Sequence, residues 1–117
     1  MTATLPEGFV PVPTGKRPAV TFDVDFNRFY LSTSLMKEYR MTPRSRVGLS
    51  YNRQTRQLLL DKQARSFYVD KRGYITAKQF VDRVYGKSQA KGKDTVKYEV
   101  NKDISDDRFI VFDETED

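Results

Sequence analysis

The sequence predicts a mostly β fold with two short helices, laid out as two consecutive β-β-α-β-β units. Apolar and polar residues alternate through several short runs bounded by turn-forming residues, which is the period of half-buried strands. The same order of runs, turns and one helical stripe then occurs a second time. The 117 residues include no cysteine and no histidine, so a hydrophobic core, rather than disulfides or a zinc site, has to hold the chain.

Pro6, Pro11, Pro13 and Pro18 predict an extended arm over residues 1–18, because proline fixes its own φ and cannot donate to a ladder. The domain starts at Ala19. Val20, Phe22, Val24 and Phe26 alternate with Thr21, Asp23 and Asp25 as a first strand, and Asn27-Arg28 marks a turn into Phe29-Tyr30-Leu31. Ser32-Thr33-Ser34 offers a side-chain acceptor to the free N–H groups of a helix start, and Leu35, Met36 and Tyr39 share the apolar face of that helix. Met41-Thr42-Pro43 ends it. Val47, Leu49 and Tyr51 then form a strand whose hairpin partner, Leu58-Leu59-Leu60, returns after the polar loop 52–57.

In the second unit Phe67-Tyr68-Val69-Asp70 is a strand, Lys71-Arg72-Gly73 a turn and Tyr74-Ile75-Thr76 a second strand. Thr76 with Gln79 has the spacing of a capping box, for a helix with the stripe Phe80, Val81, Val84 and Tyr85 and a stop at Gly86. The basic segment 87–93 reads as a solvated connector. Val96, Tyr98 and Val100 then alternate, a turn spans 103–107, and 109–112 is the last strand. Val24-Asp25 matches Val69-Asp70 at an offset of 45, Val47 and Leu49 match Val96 and Tyr98 at 49, and Leu60-Asp61 matches Phe112-Asp113 at 52. The offset grows only where the second copy has longer loops. A single domain, 19–113, therefore divides into half-units 19–62 and 66–113, with an acidic and disordered tail expected over 114–117.

The repeated unit resembles the AbrB-like swapped-hairpin DNA-binding family, the SpoVT/AbrB group, with an arrangement similar to its tandem-repeat MraZ branch. In the first copy the resemblance rests on Val24-Asp25, Arg28-Phe29-Tyr30-Leu31, Leu35, Met41, Val47-Gly48-Leu49-Ser50-Tyr51 and Leu58-Leu59-Leu60-Asp61-Lys62. In the second it rests on Val69-Asp70-Lys71-Arg72-Gly73-Tyr74-Ile75-Thr76. Leu31-Ser32 and Ile75-Thr76 stand where the family usually has Ile-Pro, and Tyr74 stands where it often has an arginine after the turn glycine. The resemblance implies a barrel in which two copies interleave their hairpins, here as a pseudo-dimer within one chain. Such pairing makes physical sense, since one unit has too little apolar surface for a core and would leave strand edges exposed.

The formal net charge of +5 is unevenly distributed. Residues 106–117 hold six acids and one base, so residues 1–105 carry 20 bases against 10 acids. A field of that sign favours a polyanionic partner. The chain lacks the commonest general base, the thiol nucleophile and the preferred transition-metal ligands, so neither an enzyme nor a cofactor is expected. Asp23 and Asp25, placed on one face of the first strand, read as a solvent-facing pair rather than a metal site. Most of the 15 aromatics, among them Phe22, Phe80, Tyr98 and Phe112, fall at inward positions, whereas Tyr30, Tyr68 and Tyr74 are open to a stacking role. No stretch approaches the length of a membrane span, and the first 18 residues lack signal-peptide order, so a cytoplasmic protein is expected, nucleoid-associated if it binds DNA.

The expected function is that of a DNA-binding transcriptional regulator, monomeric as a pseudo-dimer or homodimeric, with duplex DNA as partner. Its expected contacts are Arg28, Lys71 and Arg72 from the paired turns, since arginine grips a phosphate or a guanine edge through two parallel hydrogen bonds. Arg40, Arg44 and Arg46 after the first helix, and Lys78 beside the second, add backbone contacts. Lys16-Arg17-Pro18 offers a basic arm for a minor groove, and the acidic tail a competitor for the basic face. The alternative is a small viral or mobile-element protein that binds and inhibits a host protein through the same barrel.

Overall fold

A computed structural model describes residues 6–10 and 18–115 of the chain. Its strands are β1 (Ala19–Asp23), β2 (Arg28–Leu31), β3 (Arg46–Asn52), β4 (Gln57–Asp61), β5 (Phe67–Tyr68), β6 (Tyr74–Thr76), β7 (Thr95–Val100) and β8 (Phe109–Thr115). Helix α1 (Thr33–Glu38) lies between β2 and β3. A single π-helical turn (Val81–Tyr85) and helix α2 (Lys87–Ala90) lie between β6 and β7.

All strand pairs are antiparallel, in the order β5-β3-β4-β8-β7-β1-β2-β6. The two ends of this sheet meet where the Asp70 N–H donates to the Tyr74 carbonyl at 3.0 Å, so the eight strands form a nearly closed barrel. Pairs of strands from residues 19–61 (β3-β4 and β1-β2) and from 67–115 (β8-β7 and β6-β5) alternate around it, joined where β1 pairs with β7, β3 with β5, β2 with β6 and β4 with β8. The registers correspond. Val47 faces Phe67 as Val96 faces Phe22, and Leu58 faces Phe112 as Leu60 faces Ile110.

Alternation along these strands sends Val20, Phe22, Phe29, Leu31, Leu58, Leu60, Ile75, Tyr98, Ile110 and Phe112 into one core. Burial of each such side chain stabilises the fold by about 1.5–3 kcal/mol. Ser32 caps α1, its Oγ accepting from the Leu35 N–H at 3.1 Å and from the Ala19 N–H at 3.1 Å, so the cap also fastens the helix to β1. The π-helical turn covers the opposite end of the barrel. Phe80 and Tyr85 pack there against an aromatic group that includes Phe22, Phe29 and Tyr51, with ring centroids 4.9–5.6 Å apart. Beside it Tyr51 Oη donates to Glu114 Oε1 at 3.0 Å, and Arg56 lies 3.6 Å from the same carboxylate. Burial, reinforced by the Glu114 charge, pushes the Tyr51 and Tyr98 phenols well above their ordinary value.

Several expectations change. The first strand ends at Asp23; residues 24–27 turn, Phe26 is 66% exposed, and Asp23 Oδ1 accepts from the Phe26 N–H, so Asp23 and Asp25 do not share a strand face. The capping box does not form. Thr76 stays in β6 opposite Arg28, the turn from Phe80 has no side-chain cap, and the Gly86 N–H reaches back five residues to the Val81 carbonyl at 2.8 Å. Part of the expected 87–93 connector is helical in α2. The acidic end is shorter than the tail placed at 114–117, because β8 continues to Thr115 and the Glu114 side chain, only 4% exposed, is bonded within the barrel. Of the expected arm, residues 6–10 include a turn closed by the Phe9 N–H on the Pro6 carbonyl, and residues 11–17, with Lys16 and Arg17, lie outside the described residues.

The crossing from β4 to β5 places Ala64 over β3. A Cβ at Gly48 would stand 2.6 Å from Ala64 Cβ, closer than two carbons tolerate. Gly48→Ala is expected to cost about 1–3 kcal/mol, read as a lowered thermal midpoint, and Gly48→Ala combined with Ala64→Gly should recover most of it.

Candidate nucleic-acid interface

The β2–β6 ladder pairs Arg28 with Thr76 and Tyr30 with Tyr74, so these four side chains share its outer face. The Arg28 guanidinium carbon lies 4.8 Å from the Phe26 ring centre and 4.2 Å from that of Tyr74, and the Tyr30 and Tyr74 ring centres are 5.0 Å apart. Arg28 Nε is buried, with no hydrogen-bond partner among the described residues. Ring contacts of this kind hold a guanidinium by about 0.5–1 kcal/mol each while leaving its donors unspent.

Lys71 and Arg72 are exposed in the β5–β6 turn. Asp70 builds that turn: its Oδ1 accepts from the Arg72 N–H at 2.8 Å and the Tyr74 N–H at 2.9 Å, and the Tyr74 bond is the main reason its carboxyl is held below the ordinary 3.8. Gly73, at φ +88°, brings its carbonyl to the Leu31 N–H at 2.8 Å. Arg28 therefore stands at one end of the β2–β6 ladder and Lys71 and Arg72 at the other, about 10 Å apart along the strand. The two turns do not adjoin, and Arg28 meets the second copy through Tyr74.

Arg44 lies beside the turn that carries Lys71 and Arg72, and Arg40 is at the end of α1. The Arg44 N–H donates to the Val69 carbonyl at 2.7 Å, which lays residues 41–45 beside the turn. Both arginines sit where backbones favour glycine. Arg40, at φ +55°, follows the last residues of α1 while the Met41 N–H bonds to the Met36 carbonyl at 2.8 Å; Arg44, at φ +72°, follows Pro43 in a turn closed by the Ser45 N–H on the Thr42 carbonyl at 3.2 Å. Arg46 is farther along β3, its guanidinium 5.9 Å from the Tyr68 ring centre. Lys78 lies at the Arg28 end, next to Ala77, whose N–H donates to the Asn27 carbonyl at 2.8 Å.

The strand order reveals a feature that the linear sequence hides. The adjacent strands β3, β5, β6 and β2 contain Arg46 and Arg28 and no carboxylate. The other four, β4, β8, β7 and β1, carry Asp61, Asp113, Glu114, Glu99 and Asp23 against the single base Lys97. The strands of one wall are thus free of acids, and the turns at its ends carry Arg44, Lys71, Arg72 and Lys78 together with Asp25 and Asp70, while the strands of the opposite wall are acidic. Sequence reasoning misses this because the acid-free strands are scattered along the chain.

Among the described residues no group of three or more His, Asp or Glu is placed to hold a metal ion, and no helix is long and apolar enough to cross a membrane. Comparison of the chain with protein-family models, with curated proteins and with solved structures gives no match.

Two predictions concern these turns. Arg40→Gly relieves a left-handed arginine and is expected to raise stability by up to about 1 kcal/mol in denaturant unfolding. For Asp70 the folded-state carboxyl titrates below the unfolded one, so its stabilisation is present above about 3.8 and is lost as pH falls through the lower folded value. The gap in thermal midpoint between the native protein and Asp70→Asn should therefore be wider at pH 6 than at pH 3.

Proposed function

We propose that the chain is a duplex-DNA-binding transcriptional regulator, a single-chain pseudo-dimer of two AbrB-like half-units interleaved as swapped hairpins. The observation that carries this reading is the wall of acid-free strands, β3-β5-β6-β2, with the arginines and lysines in the turns at its ends. A duplex presents two rows of phosphates, and such a wall meets them without the like-charge repulsion that the opposite wall would impose. The corresponding registers of the β1–β7 and β5–β3 ladders support the tandem half-units. Arg28 and Tyr74, both flanked by a positive-φ turn residue, Asn27 and Gly73, support equivalent roles for the two turns with different chemistry in each. The face is then asymmetric and does not require a perfectly palindromic site.

In this reading Lys71, Arg72, Arg40 and Arg44 hold phosphates, Arg46 and Lys78 extend the backbone contacts, and Arg28, fixed between two rings, is the residue preorganised to reach a base edge. Fluorescence anisotropy with a labelled duplex across a salt series tests it. Affinity is expected to fall steeply with salt, and each of Lys71→Ala and Arg72→Ala to flatten the log–log slope by about 1. Arg28→Ala should weaken binding by roughly 1–3 kcal/mol in a sequence-dependent way. Absence of duplex binding at low salt, or an unchanged salt slope in the Lys71→Glu/Arg72→Glu variant, overturns the reading.

A further inference from the structure

The β1–β7 ladder runs over five pairs, from Ala19 opposite Glu99 to Asp23 opposite Thr95. Its counterpart, β5–β3, has only two, Arg46 with Tyr68 and Val47 with Phe67. Beyond Val47 the chain that would continue β5 leaves the sheet, with Ala64 crossing over Gly48. On the side away from β4, residues 49–52 of β3 consequently have no strand partner among the described residues.

This free edge borders a groove of about 670 Å³ that reaches Phe29 and Leu58 at its floor. Leu49, Phe67, Phe80 and Val84 make its walls apolar. Lys78 and Arg83 stand on it, both exposed, and no carboxylate lines it. An unpaired strand edge beside an apolar groove selects an extended backbone with alternate apolar side chains. Two cations without a lining acid select carboxylates on that backbone.

We propose that this groove binds an extended, acidic-apolar peptide segment of a partner protein, which adds a strand to the free edge of β3. Three or four of its residues pair with residues 49–52, one set of its side chains enters the apolar groove, and its carboxylates meet Lys78 and Arg83. This inference does not depend on DNA binding: of the proposed DNA contacts its site, the β3 edge and the groove beside it, includes only Lys78, and its assay contains no nucleic acid.

The test uses the full chain and a fluorescein-labelled hexapeptide that alternates valine or isoleucine with aspartate. Saturable binding is expected, with amide shift changes in the ¹H–¹⁵N spectrum confined to residues 49–52 and the groove. Replacing aspartate by lysine in the peptide, N-methylating its central amides, or introducing Lys78→Glu with Arg83→Glu should each weaken binding at least tenfold. Both substituted side chains are exposed, and an unchanged thermal midpoint verifies that the variant folds. No binding at millimolar peptide overturns the proposal. So does binding indifferent to N-methylation or to Lys78 and Arg83, and so does binding that appears only after deletion of residues 1–17, which would make the chain's own arm the occupant.

Discussion

The β4–β8 ladder joins residues 57–61 to residues 109–113 across the centre of the sheet, and both faces of the chain's folding problem meet in it. Leu58 and Leu60 from one side, with Phe112 and Ile110 from the other, are completely buried. Both segments send their apolar side chains into the one shared core, so neither set of strands is packed without the other. Three more pairs, β1 with β7, β3 with β5 and β2 with β6, join the same two segments. The helical segments then close the ends of the barrel, α1 fastened by Ser32 to β1 and the π-helical turn resting on Phe22, Phe29 and Tyr51.

The same interleaving sorts the charges. Strands that are distant in the chain become neighbours, and those without acids fall together on one wall. The connections next to that wall hold their basic side chains on well-defined backbone: Asp70 ties the Lys71–Arg72 turn, while Arg40 and Arg44 occupy left-handed positions. An arginine at a left-handed position carries backbone strain, which agrees with a task for its side chain in the proposed DNA contact. The barrel is least complete at the seam between β3 and β6, where the short β5 leaves an edge beside an apolar groove.

Much of the fold is legible from residue order. The alternations at 20–22, 47–51, 58–60, 96–100 and 109–112, the Ser32 cap and the turn glycine Gly73 all depend on interactions within a few residues, and the structure has strands, a cap and a turn there. The failures have other causes. Phe26 continues the alternation in sequence but turns out to cover Arg28, and Thr76 has cap spacing but is held in β6 by its pairing with Arg28. At Phe26 a local turn capped by Asp23 breaks the alternation, and at Thr76 long-range pairing overrides local propensity. The candidate site is legible as a set of residue types and not as an arrangement: the turns carrying Arg28 and Lys71–Arg72 lie at opposite ends of a ladder, and Tyr74 links them.

By itself the sequence determined a mostly β chain with short helices, a hydrophobic core in place of disulfides, and an excess of positive charge before an acidic end. These follow from composition and from short periods, which act through neighbouring residues. Only the tertiary structure decided that β8 keeps Glu114 and Thr115 within the barrel, that the acids of the strands gather on one wall, and that β5 stops after two residues. Each of those outcomes depends on which strand lies beside which. That choice is made by burial in one core shared by strands distant in the chain, which the short periods of the sequence do not encode.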